Sequence, residues 1–174
     1  MRFVACTRSS IFRRSRRFGP GLRTAFIAGH PDLLVKIEIA KQVANLCGSG
    51  LRQRIVLRCL VSGIVEQHQQ LVRCFYRPKR DALVEALTQH MPAGATWTTP
   101  EGGLFAWVTL PAHVDAEAML PAAIESGVAY VTGAPFFVEQ LMANMLRLTF
   151  ASETEATLRE GARRLGAATT AALG

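Results

Sequence analysis

Residues Thr96 to Leu110 read TWTTPEGGLFAWVTL, and this stretch decides how the chain is organised. β-Forming residues flank a central Pro100-Glu101-Gly102-Gly103 turn, which predicts two strands that pair with each other. Upstream of Thr96 the apolar residues recur at helical spacing, and here the period changes, so the chain passes from a helical region into a small sheet.

Working back from that point, Pro92 and Gly94 close a helical tract that runs from Leu51 to Met91 with an interruption at Gly63. Leu71, Phe75, Leu83 and Leu87 mark its apolar stripe, and its length suits a spine helix. Pro78 lies inside the stripe. It removes a backbone donor at a cost of ~3 kcal/mol in a regular helix interior, which predicts a kink or break near Arg77 or, alternatively, a new helix starting at Pro78. Earlier still, Pro31 and Asp32 open a helix in which Leu33, Leu34, Ile37, Ala40, Lys41 and Ala44 share a face, with Gly48 and Gly50 ending it. A short apolar run from Arg23 to Ala28, stopped by Gly29, reads as a strand.

Working forward, Asp115 can cap a helix from Ala116 to Ser126 that ends at Gly127. Tyr130 to Val131 and Leu146 to Phe150 read as short strands separated by a Gly133 to Phe137 turn. Ser152 is the expected cap of a last helix that starts with Glu153 and Glu155. Leu158, Ala162 and Leu165 line one side of it, and Arg163 and Arg164 complement its carboxyl end. The order is that of an α/β sandwich with helices packed on a small sheet.

Composition narrows the function. A hydrophobic share of 49% in 174 residues is ample for one core. No apolar run reaches the ~18 residues needed to span a bilayer, since Ile55 to Ile64 is broken by Arg58 and Gly63. The net charge of +7 comes from the first 30 residues, which hold seven arginines (Arg2, Arg8, Arg13, Arg14, Arg16, Arg17, Arg23) and no carboxylate. Residues 31 to 174 carry 13 basic and 13 acidic side chains, so no basic face for DNA is implied. We divide the chain into an irregular arginine-rich arm, residues 1–19, and one domain, residues 20–174. The arm has the composition of a transit peptide, or of a nucleic-acid arm, or is a truncated or out-of-frame start to a longer protein; we take the third reading.

Cys6, Cys47, Cys59 and Cys74 show no metal spacing, and with Cys47 and Cys59 in helical segments they read as buried thiols of a reducing compartment. His30, His68, His90 and His113 are scattered and have no nucleophile or metal motif around them. No metal site is expected.

One resemblance covers residues 15 to 165. Phe18-Gly19-Pro20-Gly21-Leu22-Arg23 resembles the segment after the cofactor lysine of class I/II, fold-type I aminotransferases, where Ser-x-Ser-Lys is followed a few residues on by Pro-Gly-Leu-Arg. Further matches follow in order: Tyr76-Arg77 with Arg80-Asp81-Ala82-Leu83, Pro100 to Trp107, Val131 to Phe137, and Leu146-Arg147-Leu148-Thr149-Phe150. Together they look most like the 2-aminoadipate and GntR/MocR-related branch.

The resemblance implies the carboxy-terminal small domain of that fold, a mainly antiparallel sheet with helices packed on it and a long spine helix. It implies pyridoxal 5'-phosphate as cofactor, amino acids and 2-oxo acids as substrates, a homodimer and a cytoplasmic location. Arg23 matches the cofactor-phosphate arginine and Arg147 the substrate-carboxylate arginine, both roles that suit a planar, permanently charged donor. Phe105, Trp107 and Phe136 are read as core.

Counting back seven from Arg23 puts Arg16 where the family has its Schiff-base lysine, and a guanidinium stays protonated at any ordinary pH. Lys36, Lys41 and Lys79 lie in helical tracts at the wrong spacing. The expectation is therefore a truncated aminotransferase with no catalytic residue of its own, covalent cofactor attachment absent, and apolar surface left uncovered. The alternatives are the effector domain of a GntR/MocR-type transcriptional regulator, which would meet nucleic acid only through an upstream DNA-binding module, and a nucleic-acid-binding protein acting through the basic arm.

Overall fold

Strand β1 (Arg13–Ser15) pairs antiparallel with β2 (Phe26–Ala28), Arg13 opposite Ala28 and Ser15 opposite Phe26. The computed structural model describes residues 13–15, 26–45, 47–137 and 142–174. The strand expected over Arg23 to Ala28 is thus seen in its last three residues, and its start lies outside the described residues. By its contacts the chain forms two units, Met1–Leu71 and Val72–Gly174.

In the first unit, α1 (Pro31–Ala44) starts with proline at its first position, where the missing N–H costs nothing. It ends at Ala44, earlier than Gly48, with Asn45 N–H donating to the Lys41 carbonyl at 2.7 Å. Gly50 begins the next helix, α2 (Gly50–Val61), whose amino end is capped by Ser49 Oγ accepting from Arg52 N–H. Neither helix buries a residue, and Leu33, Val35, Ile39 and Val43 of α1 and Leu51, Ile55, Leu57, Leu60 and Val61 of α2 are all exposed. Cys47 is exposed between the helices, Cys59 is half-buried and helical as expected, and Cys74 in the next helix is exposed, so the reading of these thiols as buried is corrected. Gly63 separates α2 from α3 at φ 75°, a left-handed conformation that suits glycine.

Helix α3 (Ile64–His90) runs unbroken through Pro78, so the break and the restart expected there do not occur. The reason is exposure: Pro78 and Cys74, whose carbonyl loses its donor, both face outward, where water can replace the lost bond. The apolar stripe divides along the helix, Leu71 and Phe75 being exposed while Leu83 and Leu87 are buried.

The second unit holds a four-stranded antiparallel sheet in the order β3 (Thr96–Trp97), β4 (Phe105–Thr109), β6 (Met145–Thr149), β5 (Val131–Thr132). Strand alternation sorts its two faces. Ala106, Val108, Leu146 and Leu148 point into a core shared with Leu83 and Leu87 of α3, Met119 and Ala123 of α4 (Ala116–Glu125), and Leu158 and Leu165 of α5 (Glu155–Ala171). The other face carries Phe105, Trp107 and Arg147. Asp115 caps α4 as expected, its Oδ1 accepting from Glu117 and Ala118 N–H at 2.7 and 3.2 Å. The α5 cap is Thr154, not Ser152, with Oγ1 accepting from Thr157 N–H at 3.2 Å. Both are sound caps; in the helix that starts at Glu155, Leu158, Ala162 and Leu165 face the core.

Candidate active site

Arg147 sits in the middle of the sheet's open face. β6 lies between β4 and β5, so Arg147 is directly opposite Trp107 on one side and Val131 on the other. Its neighbours Leu146 and Leu148 are committed to the core by alternation, which obliges the guanidinium to the outer face.

Two aromatic rings flank that guanidinium. Its Cζ lies 4.2 Å from the Phe105 ring centroid and 4.6 Å from that of Phe136, both within cation–π range. Phe105 comes from the start of β4, on the same face and diagonal to Arg147. Phe136 comes from a single 3-10 turn, Ala134–Phe136, that follows β5. Trp107 meets Phe136 edge-to-face with ring centroids 5.2 Å apart. The placement of Phe105 and Phe136 in the core is corrected: the rings are 45% and 47% exposed, and they pack on a cation. In the sequence, the signal was the period-2 register that puts Phe105 and Arg147 on the face opposite Ala106 and Leu148.

The turn reaches Arg147 because Gly133 lets it. Gly133 N–H donates to the Met145 carbonyl at 2.7 Å, and a Cβ at residue 133 would stand 2.6 Å from Met145 Cβ. Any side chain there would push the turn away from β6. The other end of the site is tied to α3. Arg80 Nη1 donates to the Pro100 carbonyl at 3.2 Å and Lys79 Nζ to the Ala151 carbonyl at 3.4 Å, bracketing the Phe105–Thr149 pair from both loops. The Leu104 carbonyl then accepts from Phe150 N–H and Thr149 Oγ1, each at 3.2 Å.

The electrostatics leave the cation open to an anion. Among the described residues, Arg147 Nε is buried with no hydrogen-bond partner and no carboxylate pairs with Arg147. An orphaned buried donor costs ~1–3 kcal/mol, and the two ring contacts, at ~0.5–2 kcal/mol each, offset it. The fork that remains suits a planar carboxylate, which accepts two parallel N–H donors. Arg16 and Arg23 lie outside the described residues, so Arg147 is the one proposed site residue with a described position. Among the described residues, no cluster of three His, Cys, Asp or Glu could hold a metal ion, and no helix is long and apolar enough to cross a membrane.

The sequence matches the family described as aminotransferase class I and II over residues 15–165. It is 42% identical over 151 residues to aromatic-amino-acid aminotransferase 1 of Thermococcus litoralis, covering 87% of this chain and 36% of that protein. Among solved structures it is similar to an α-aminoadipate aminotransferase from Thermus thermophilus complexed with N-(5'-phosphopyridoxyl)-L-leucine. That likeness has a TM-score of 0.72 at 40% identity and covers 91% of this chain and 41% of that one. An uncharacterized HTH-type transcriptional regulator of Bacillus subtilis is 28% identical over 152 residues, 87% of this chain and 31% of its own. The chain thus spans well under half the length of the proteins it matches.

Proposed function

Because the chain belongs to the class I and II aminotransferases, we propose that it is the carboxy-terminal region of a transaminase acting on amino acids and 2-oxo acids, in which Arg147 holds the substrate carboxylate. The observation that carries this reading is a guanidinium on an open sheet face, against Phe105 and Phe136 and with no carboxylate partner among the described residues.

Pyridoxal 5'-phosphate, when bound, supplies the electron sink for transamination. The residues of this chain fit only part of that group. Arg23 has the chemistry of a phosphate donor, but Arg16 stands at the lysine position and offers no amine. Lys79 is engaged elsewhere, its Nζ 4.6 Å from the Phe75 ring centroid and bonded to the Ala151 carbonyl, and Lys41 Nζ reaches the Asn45 carbonyl at the end of α1. With arginine at the lysine position the expected attachment point is missing, so the chain's own contribution is to bind and orient a carboxylate.

Two further parts of the proposal are supported by exposed groups. A homodimer or other covering chain would bury the exposed apolar side chains of α1 and α2. A cytoplasmic location suits the free thiols Cys47, Cys59 and Cys74.

Equilibrium dialysis of the full chain against radiolabelled pyruvate tests the central claim. Binding that disappears in Arg147→Ala supports it, and equal retention by the two proteins overturns it. The second reading, an effector domain behind a DNA-binding module, is favoured by the likeness to the Bacillus subtilis regulator. Translating the locus upstream of this chain decides it: a winged-helix segment supports the regulator, and an aminotransferase large domain removes it.

A further inference from the structure

We infer that Phe105 and Phe136 are positioning residues that hold the Arg147 guanidinium as a preset planar fork. The inference deepens the carboxylate reading of Arg147 and rests on it. Its ligand is any small 2-oxo or amino acid carboxylate lying in the plane of the guanidinium.

Burial accounts for only part of where these rings are. Each keeps nearly half of its surface in solvent and neither belongs to the buried core. What each does meet is the guanidinium, at 4.2 and 4.6 Å. Phe136 is moreover held in position from behind by the edge-to-face contact with Trp107, itself the cross-strand partner of Arg147.

The consequence for Arg147 is loss of freedom before any ligand arrives. A free arginine side chain has several rotatable bonds to immobilise, and a ligand that must order them binds more weakly. The guanidinium is planar and donates within its own plane, so rings against it leave that fork free to donate. The Nε edge is already buried without an acceptor, so the Nη edge is the one that can take a carboxylate. Leucine at either ring position would keep an apolar side chain of similar bulk but remove the π-face.

The test uses the full 174-residue chain labelled with 15N, reading the arginine Nε–Hε cross-peaks, with Arg147 identified by the peak that Arg147→Lys deletes. The Arg147 Hε should resonate upfield, under ring current, and exchange with water more slowly than the Hε of the other arginines. Pyruvate should shift it. In Phe136→Leu and, separately, Phe105→Leu, the upfield displacement should shrink, exchange should quicken and pyruvate should bind about tenfold more weakly. Phe136→Tyr, which keeps the ring, should restore all three. Leu variants that remain folded by their amide spectra and match the wild type in Hε position, exchange and pyruvate affinity overturn the inference. A wild-type Arg147 peak that shows the ring current but does not respond to pyruvate overturns the carboxylate reading instead, so the two failures are told apart.

Discussion

Replacing Gly133 by alanine should dislodge the turn that carries Phe136 while leaving the rest of the sheet in place. The backbone at Gly133 has φ −74°, which alanine adopts freely, so the cost is one of space alone. The added Cβ would stand 2.6 Å from Met145 Cβ and 2.9 Å from the Met145 carbonyl oxygen. Both are too close for either atom to stay where it is, and one of the two is backbone of the central strand β6. Overpacking of this kind costs ~1–3 kcal/mol. Losing the Gly133–Met145 hydrogen bond adds about 1 kcal/mol. The stiffer unfolded chain returns ~0.4–1 kcal/mol. The net is a destabilisation of about 2 kcal/mol, or about 10 °C in Tm for a unit of this size.

Urea unfolding followed by tryptophan fluorescence measures it, because both tryptophans, Trp97 and Trp107, lie in the Val72–Gly174 unit. Trp107 touches Phe136 directly, so its native emission should change as well. Gly102→Ala is the control. A Cβ there meets nothing within 4 Å, and the change should stay within ~0.5 kcal/mol. A Gly133→Ala chain as stable as Gly102→Ala, with unchanged Trp107 emission, would show that the close approach to Met145 does not hold the turn.

Three further outcomes follow from particular groups. Burial first, and the nearby Asp115 charge second, push the Tyr130 hydroxyl up from 10.0 to about 12. The stability tied to its neutral form is therefore complete below pH 10 and is lost as pH rises toward 12; Tyr130→Phe, which gives up the bond to the Ala116 carbonyl at a cost of about 1 kcal/mol, should show a flatter urea midpoint across that range. Hydrogen bonds from Arg163 and then Arg164 hold the Glu160 carboxyl down at about 2, against an ordinary 4.5. Its contribution is present above pH 4.5 and lost as pH falls toward 2, so Glu160→Gln should lose less of its urea midpoint than wild type between those values. Finally, Arg16→Lys should concentrate borohydride-fixed pyridoxal phosphate on residue 16, whereas the wild-type chain should show no favoured lysine. Peptide mass spectrometry of the variant that finds the label spread evenly over the introduced amine and the native Lys36, Lys41 and Lys79 would refute the assignment of that position.

The order of elements was legible in the chain because it depends on local periodicity and on turn and cap residues. The strand pair around Pro100 to Gly103, the Asp115 cap and the interruption at Gly63 are all of this kind, each settled within a few residues. So was the chemical character of Arg147, since a charge between two leucines in a strand needs a reason. What misled were features whose outcome depends on surroundings. Pro78 breaks a helix when its freed carbonyl is buried and not when it faces water. Ser152 and Thr154 are both good caps by residue type, and only the structure shows Thr154 Oγ1 taking the Thr157 N–H. Cys47 sits in a segment that reads as helix up to Gly48, yet it lies exposed after α1 has ended.

The pairing of Phe105 and Phe136 with Arg147 joins residues up to 42 positions apart, counted from Phe105 to Arg147. Alternation assigns each strand residue to a face, which is enough to set Arg147 and Phe105 away from Leu148 and Ala106 once the strands are known. It says nothing of which strands are neighbours. Only the tertiary order β3-β4-β6-β5, with Gly133 packed on Met145, brings two aromatic rings to one guanidinium. Cation–π attraction acts over a few ångströms of space, and distance along the chain leaves no trace of it.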